Sequence, residues 1–253
     1  MANADLAPRH GAPEALDPQP PGTLDEPQVR AMFDRIAGLY DRTNSVMTAG
    51  LHHQWRRRAA DLARLSPGAH ALDVATGTGD LAFELATRVG PEGEVIGVDF
   101  AERMLEVARH KAAGLGAPVR FETGNALGLE YPDDHFDAAT VGFGARNFSN
   151  LERGLAEMTR VVRPGGRVVV LEITTPRRPP LSTFFELWFD RAVPALGRLV
   201  DQQAYSYLPT SVRRFPGPEA LAATMWGCGL RDIRYVLTAG GIIALHVGVV
   251  GSR

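Results

Sequence analysis

The stretch LDVATGTGD, residues 72–80, decides the fold: a short apolar run closes around an acid, and a Gly-Thr-Gly turn leads into a helical pattern. Glycines at Gly77 and Gly79 let the backbone turn sharply and come close to a ligand, because no Cβ blocks the approach and a positive φ carries no penalty. The run VIGVD then ends in Asp99, at the spacing of about twenty residues usual for a carboxylate that holds ribose hydroxyls. These features together mark a nucleotide-binding loop between a strand and a helix.

Outward from this loop the chain alternates strand and helix patterns, the sequence form of a parallel sheet with right-handed crossovers. Strands are expected at 71–75, 94–98, 119–122, 136–142 and 167–173, with helices over 79–89, 101–114 and 151–162. A helix at 218–227 and two final strands, 232–237 and 242–250, complete the pattern. Ahead of the loop, Val29, Met32, Phe33, Ile36 and Tyr40 fall at helical spacing from about Glu26, and a second amphipathic segment covers 51–65. These two helices are expected to cover the open edge of the sheet. Residues 1–27 hold six prolines and few large apolar residues, so they are expected to stay a disordered tail beside one folded domain, 28–253.

Composition fits an enzyme domain with a core of its own. A formal net charge of −2 gives no general attraction to nucleic acid, and one cysteine, Cys228, excludes an intrachain disulfide. No apolar run reaches the roughly 18 residues of a membrane span, and no basic-then-apolar signal opens the chain, so a cytoplasmic location is expected.

The loop alone admits two cofactors. Gly77, Gly79 and Ala82 fit G-x-G-x-x-A, the dinucleotide pattern of an oxidoreductase. Three features favour S-adenosylmethionine. Asp73 lies inside the strand before the loop, where a carboxylate or its water can receive the methionine ammonium. GNALGLEYPDDHFD, residues 124–137, resembles the adenine-side segment of class I methyltransferases, with Asn125 and Ala126 at the end of the third strand. RVVRPGGRVVVLE, residues 160–172, resembles their helix, Pro-Gly-Gly turn and fifth strand. The expected fold is therefore α/β and Rossmann-like: three layers around a seven-stranded, mostly parallel sheet whose last strand is antiparallel.

Beyond the class, three stretches carry a closer resemblance: YDRTNSVMTAGLHHQWRR (40–57), FGARNFSN (143–150) and LTAGGIIALHVG (237–248). In these the chain resembles the C-methyltransferases of ubiquinone and menaquinone biosynthesis, over nearly all of its folded part. The resemblance implies methyl transfer from S-adenosylmethionine to a ring carbon of a polyprenylated quinol: demethylmenaquinol first, a ubiquinone precursor or a quinone-like secondary metabolite as alternatives. No metal is expected, because the leaving group is a neutral thioether and the sequence shows no clustered ligand set. The resemblance also implies cofactor contacts from Asp73, Gly77, Thr78, Gly79, Asp99, Asn125, Ala126 and Gly142, where Gly142 replaces the serine commoner in the family. Ala145 likewise stands where leucine is usual.

The chemistry needs an electron-rich ring carbon, which a phenolate supplies. Arg146 is the candidate cation to stabilise that phenolate, and Asn147 the candidate for the second oxygen. Tyr40 is a candidate substrate contact, with a helix-end packing pair of Tyr40 and Asp41 as the alternative. His52 and His53 are expected to face apart and to lack an acidic partner, which argues against a metal; His246 is expected to be structural. Residues 174–216 interrupt the alternation, and Leu181, Phe184, Phe185, Leu187, Trp188, Val193, Leu196 and Leu199 form a helical pattern apolar around much of its circumference. This insertion is expected to be a lid that receives the prenyl chain, with Trp188 in contact with it, and to touch the membrane transiently. A homodimer is the other expected use of so apolar a segment.

Overall fold

The computed structural model describes residues 24–115, 117–176, 179–188 and 201–252. Most of the proline-rich tail and the second half of the apolar insertion pattern, with Val193, Leu196 and Leu199, lie outside the described residues.

The strands β1 (His70–Val74), β2 (Glu94–Asp99), β3 (Val119–Thr123), β4 (Phe136–Gly142), β5 (Val162–Ile173), β6 (Leu230–Thr238) and β7 (Ile243–Val250) form one sheet in the order β3-β2-β1-β4-β5-β7-β6. β1 to β5 are parallel, and β7 runs antiparallel between β5 and β6. The direction of winding reverses between β1 and β4, and the crevice at their carboxyl ends is where an open α/β sheet binds ligands. β1 and β4 are central strands, so beyond the exposed His70 their side chains are mostly buried and read as apolar runs broken by Asp73, Asp137 and Thr140.

β5 starts five residues before the expected boundary, because Val162 already pairs with Phe136 while Arg167 pairs with Ala138. The intervening Pro-Gly-Gly turn bulges out of the ladder, with Gly165 at φ 82°.

The helices α1 (Glu26–Thr48), α2 (Leu51–Ala63), α3 (Asp80–Val89), α4 (Glu102–Leu115), α5 (Leu151–Val161), α6 (Leu181–Leu187), α7 (Gln202–Arg214) and α8 (Pro218–Gly227) are joined by a 3-10 turn, Ala145–Asn147, after β4. Trp55, Leu81, Leu85 and Leu105 fill one face of the sheet; Leu155, Met158, Leu221 and Met225 fill the other. α2 packs on the sheet face against α3, β4 and β5, and α1 packs on α4 and α7. The two leading helices thus cover a face and the crevice rather than the edge strands β3 and β6. α1 also runs on to Thr48, so Tyr40 and Asp41 sit inside a helix and not at its end.

α1 starts where the sequence can satisfy its first turn. Asp25 accepts from the Gln28 amide at 2.9 Å, the Gln28 side chain accepts from the Asp25 amide at 3.1 Å, and Pro27 occupies a position needing no donor. The helix therefore extends two residues into the segment expected to be a tail. Asp25→Ala removes this reciprocal cap and is expected to cost about 1 kcal/mol, lowering the calorimetric midpoint by about 2–4 °C for a protein of this size. An unchanged midpoint would show that the cap does not hold α1.

Candidate active site

The loop after β1 is a chain of left-handed residues, Ala75 at φ 52°, Gly77 at 57° and Gly79 at 84°. The two glycines serve different ends. A Cβ on Gly79 would stand 2.6 Å from the Phe121 ring, so that glycine allows close packing. Nothing lies within 4 Å of a Cβ built on Gly77, which leaves open space there.

Two carboxylates flank the loop. Asp73 accepts from the Thr76 hydroxyl at 2.7 Å and the Thr140 hydroxyl at 2.6 Å, and burial pushes its pKa up to about 6 against these hydrogen bonds. Asp99 accepts from the Gly77 amide at 2.8 Å and the Ala101 amide at 2.9 Å; burial pushes it up to about 6 as well. Each carboxylate has about four acceptor positions, so both keep capacity for a ligand. Asp99 thereby also fixes the loop that Gly77 begins.

These groups line a narrow cleft of about 40 Å³, together with Thr78, Gly142 and Asn147. A serine Cβ at 142 would stand 3.0 Å from Leu81 Cδ2, so Leu81 crowds the position where the family more often carries serine. Asn125 and Ala126 are not among the lining residues. The Asn125 amide donates to Glu26 at 3.2 Å and its carbonyl accepts from the Leu127 amide at 2.9 Å, while Ala126 packs against the core behind. α1 reaches over this end of the sheet, and its first turn takes up Asn125.

A polar ladder ties α1 and α2 to the loop. The Thr78 hydroxyl donates to Asp41 at 2.6 Å, Lys111 bridges Asp41 at 2.9 Å and Asp80 at 2.5 Å, and Arg56 lies 3.7 Å from Asp80. Arg56 in turn donates to His52 Nδ1, so His52 Nε2 is left to donate to Ser45 at 3.1 Å. Burial and the Arg56 charge hold the His52 pKa down at about 4, a neutral ring with both nitrogens engaged.

The expectation that the two histidines face apart and lack an acid is corrected: their rings lie 3.9 Å apart, and His52, His53 and Asp80 bring ligand atoms within 4.8 Å of one another. Asp80 is already neutralised by Arg56 and Lys111, so an added dication would meet two cations there. His246 is buried, engages the Pro218 carbonyl at 2.9 Å and stacks on Tyr235.

Beside the cleft opens a larger cavity of about 530 Å³ with largely apolar walls, among them Met32, Ile36, Trp55, Ile173, Phe185 and Trp188. Phe33, Tyr40, Arg56 and Phe143 line both spaces, which makes them contiguous. Arg146 lies in the wall of the larger one, its side chain 8 % exposed and paired at 2.7 Å with Glu172, which is 1 % exposed. The guanidinium also donates to the Phe143 carbonyl at 2.5 Å, and the Arg146 amide donates to Glu172 at 3.3 Å. Burial opposes its charge, yet Glu172 holds its pKa above the ordinary arginine value.

Arg146 Nε, Asn147 Oδ1 and Tyr207 Oη are buried without a hydrogen-bond partner, each a cost of about 1–3 kcal/mol that a ligand can relieve. Asn147 lines the cleft and not the cavity, and so stands on the other side of the joint from the second oxygen expected of it.

The buried acids, the Gly77 opening and the unpartnered Asn147 carbonyl suit a cationic nucleoside donor in the cleft. Solved structures agree on the class: the chain aligns with an S-adenosylmethionine-dependent methyltransferase of Thermotoga maritima, described as a possible histamine N-methyltransferase, at TM-score 0.60 and 20 % identity, over 87 % of this chain and 98 % of that one. The fold is that of a class I methyltransferase, and S-adenosylmethionine is its methyl donor.

Within that class, residues 22–250 match the model of the ubiE/COQ5 methyltransferase family, and the chain belongs to that family. It is 47 % identical over 219 residues to the demethylmenaquinone methyltransferase of Thermus thermophilus, covering 86 % of this chain and 99 % of that one. It is 40 % identical over 229 residues to the ubiquinone/menaquinone biosynthesis C-methyltransferase of Geobacter sulfurreducens, with 89 % and 90 % coverage.

Burial pushes the Asp73 pKa up to about 6, so a donor ammonium seated on this carboxylate would compete with a proton. Donor affinity measured by calorimetry is expected to fall as pH drops through about 6, approaching tenfold per unit for one carboxylate. Thr140→Val removes a hydrogen bond that lowers the Asp73 pKa, so the midpoint should move to higher pH. A profile flat from pH 7.5 to 5 would remove Asp73 from donor binding.

Proposed function

We propose that this enzyme transfers a methyl group from S-adenosylmethionine to a ring carbon of a prenylated quinol, demethylmenaquinol being the substrate, with a demethylated ubiquinone precursor as a possible second one. The observation that carries this reading is the joint itself: an apolar cavity large enough for a ring and part of an isoprenoid tail meets the donor cleft at Tyr40 and Phe143, with Arg146 in the cavity wall. The Thermus relative, a demethylmenaquinone methyltransferase, and the Geobacter relative, a C-methyltransferase of ubiquinone/menaquinone biosynthesis, support it.

When bound, S-adenosylmethionine supplies an already activated sulfonium methyl group. Asp73 holds the donor's ammonium and Asp99 its ribose hydroxyls, while Gly77, Thr78, Gly142 and Asn147 shape the cleft around it and Gly79 lets the loop pack closely on Phe121. Asn125 and Ala126 have no part in this assignment. Arg146 faces the acceptor. Glu172 compensates its charge and fixes its plane, which makes the guanidinium a directional donor rather than a free cation; Nε stabilises the quinol oxygen as phenolate, and the adjacent ring carbon gains electron density. Tyr40 orders the ring at the joint, and the exclusion of water strengthens both effects. The leaving group is a neutral thioether, so no metal is required to stabilise it.

Trp188 and Phe185 receive the first part of the tail. In the cavity lining, Val46 is 77 % exposed and Leu51 is also exposed. This apolar rim suits transient contact with the inner membrane surface by a cytoplasmic protein, where the remainder of the tail stays in lipid. No helix among the described residues is long and apolar enough to cross a membrane.

Buried tail area is worth on the order of 25 cal/mol per Å², so quinols with one or more prenyl units should be turned over with lower KM than the tailless ring. In assays with labelled donor, Trp188→Ala is expected to shrink that advantage, and Arg146→Ala to lower kcat about 100-fold or more for every tail length. Activity should survive EDTA. A wild type indifferent to tail length would point instead to a small soluble aromatic acceptor, and restoration of EDTA-treated enzyme by one divalent ion would contradict the metal-free reading.

A further inference from the structure

We propose that the hydroxyl of Tyr207 holds the second oxygen of the acceptor ring and thereby selects a 1,4-dihydroxylated ring over a monophenol; this rests on the cavity being the acceptor site. Tyr207 lies on α7, is 6 % exposed, and lines the apolar cavity. Its ring packs with Val29, Met32 and Ala204, surroundings that a phenylalanine would satisfy equally well. The hydroxyl is therefore the part of the residue that packing does not explain, and it makes no hydrogen bond of normal geometry. Arg214, on the same helix, lies near enough to favour the ionised form without completing a hydrogen bond of normal geometry, and burial outweighs it, raising the phenol's pKa. Tyr207 is thus a neutral donor and acceptor at working pH.

Two other polar side chains of the cavity, His52 and Arg56, are engaged. His52 is held between Ser45 and Arg56, and Arg56 is paired with Asp80. Among the described residues, the buried side-chain atoms that line this cavity and lack a partner are Arg146 Nε and Tyr207 Oη. α7 packs on the 3-10 turn that carries Arg146, so both atoms belong to one structural unit. α7 is in turn fixed to α1 by Arg35, which donates to Asp201 at 3.1 Å and to Gln203 at 2.6 Å.

A quinol presents two oxygens on opposite sides of its ring. Arg146 stabilises the oxygen next to the carbon that receives the methyl group, and Tyr207 pairs with the opposite hydroxyl, which stays neutral. A ring lacking that hydroxyl leaves Tyr207 buried and unpaired, and sites built to hydrogen-bond a substrate hydroxyl reject the analogue without it for this reason. Asn147, on the donor side of the joint, is not needed for this contact.

The test uses the whole protein under anaerobic conditions, with a prenylated 1,4-naphthalenediol and the same molecule lacking the distal hydroxyl. Turnover of each, and binding of each in the presence of S-adenosylhomocysteine, are measured in wild type and Tyr207→Phe. Wild type should prefer the diol by roughly 10- to 100-fold. Tyr207→Phe should bring the ratio close to one by weakening the diol alone, with unchanged donor affinity and a melting temperature equal to or above wild type, because the deleted group is unpaired. A ratio unchanged in the variant, or a wild type with no preference, overturns the role of Tyr207. A melting temperature several degrees lower would also overturn it, by showing that the hydroxyl is structural. If wild type neither binds nor methylates either ring, the acceptor reading itself falls.

Discussion

The site turns on one ion pair. Arg146 and Glu172 are almost wholly withdrawn from water at the carboxyl ends of neighbouring parallel strands, and in such a place the desolvation of two charges can exceed their mutual attraction. The pair contributes geometry more than stability. Glu172 receives both the Arg146 side chain and its amide, and the Phe143 carbonyl receives the guanidinium as well, so the plane of the side chain is fixed while Nε remains unpaired. Phe143 itself is held at φ 61°, an uncommon conformation for a bulky residue and one that persists only where its surroundings over-determine it. The turn after β4 is strained where the two spaces meet.

On the donor side the organising constraint is burial of carboxylates. A parallel strand closed in on both faces ordinarily carries apolar residues, and Asp73 is tolerated because Thr76 and Thr140 supply its hydrogen bonds. Asp99 is tolerated because backbone amides do the same. Both acids stand ready to accept a ligand's donors at the cost of a raised pKa. The ladder from Thr78 through Asp41, Lys111 and Asp80 to Arg56 then makes α1 and α2 part of this side, and the same helices wall the apolar cavity through Ile36, Tyr40 and Trp55. Cleft and cavity are thereby joined through two helices that lie outside the alternating strand–helix pattern.

What the sequence disclosed followed from local rules. Glycines at fixed offsets, an acid at the end of the second strand and the alternation of elements led to a mostly parallel seven-stranded sheet, the loop and the place of Asp73 and Asp99. Contacts made across many residues were not legible. Lys111, the chain's single lysine, reads as a solvated helix residue until α1 brings Asp41 beside it. Asn125 fits a cofactor motif by position, but its partner Glu26 lies 99 residues away. The facing of His52 and His53 depends on how α2 sits over Asp80. Tyr207 looks like one aromatic among several in an apolar stretch, and only its buried, unpaired hydroxyl distinguishes it. The turn from α1 to α2 was hidden too, since its left-handed pair Ala49 and Gly50 follows a helix longer than the apolar spacing marked.

The central claim is that Arg146 lowers the pKa of the acceptor's phenol at the joint. It is tested most directly by titrating a prenylated naphthol that cannot be methylated, bound in the presence of S-adenosylhomocysteine, through its phenolate absorbance in wild type and Arg146→Gln. A pKa at least about one unit below that of the free phenol is expected in wild type, returning to the free value in the variant. Equal pKa values in the two proteins would contradict it.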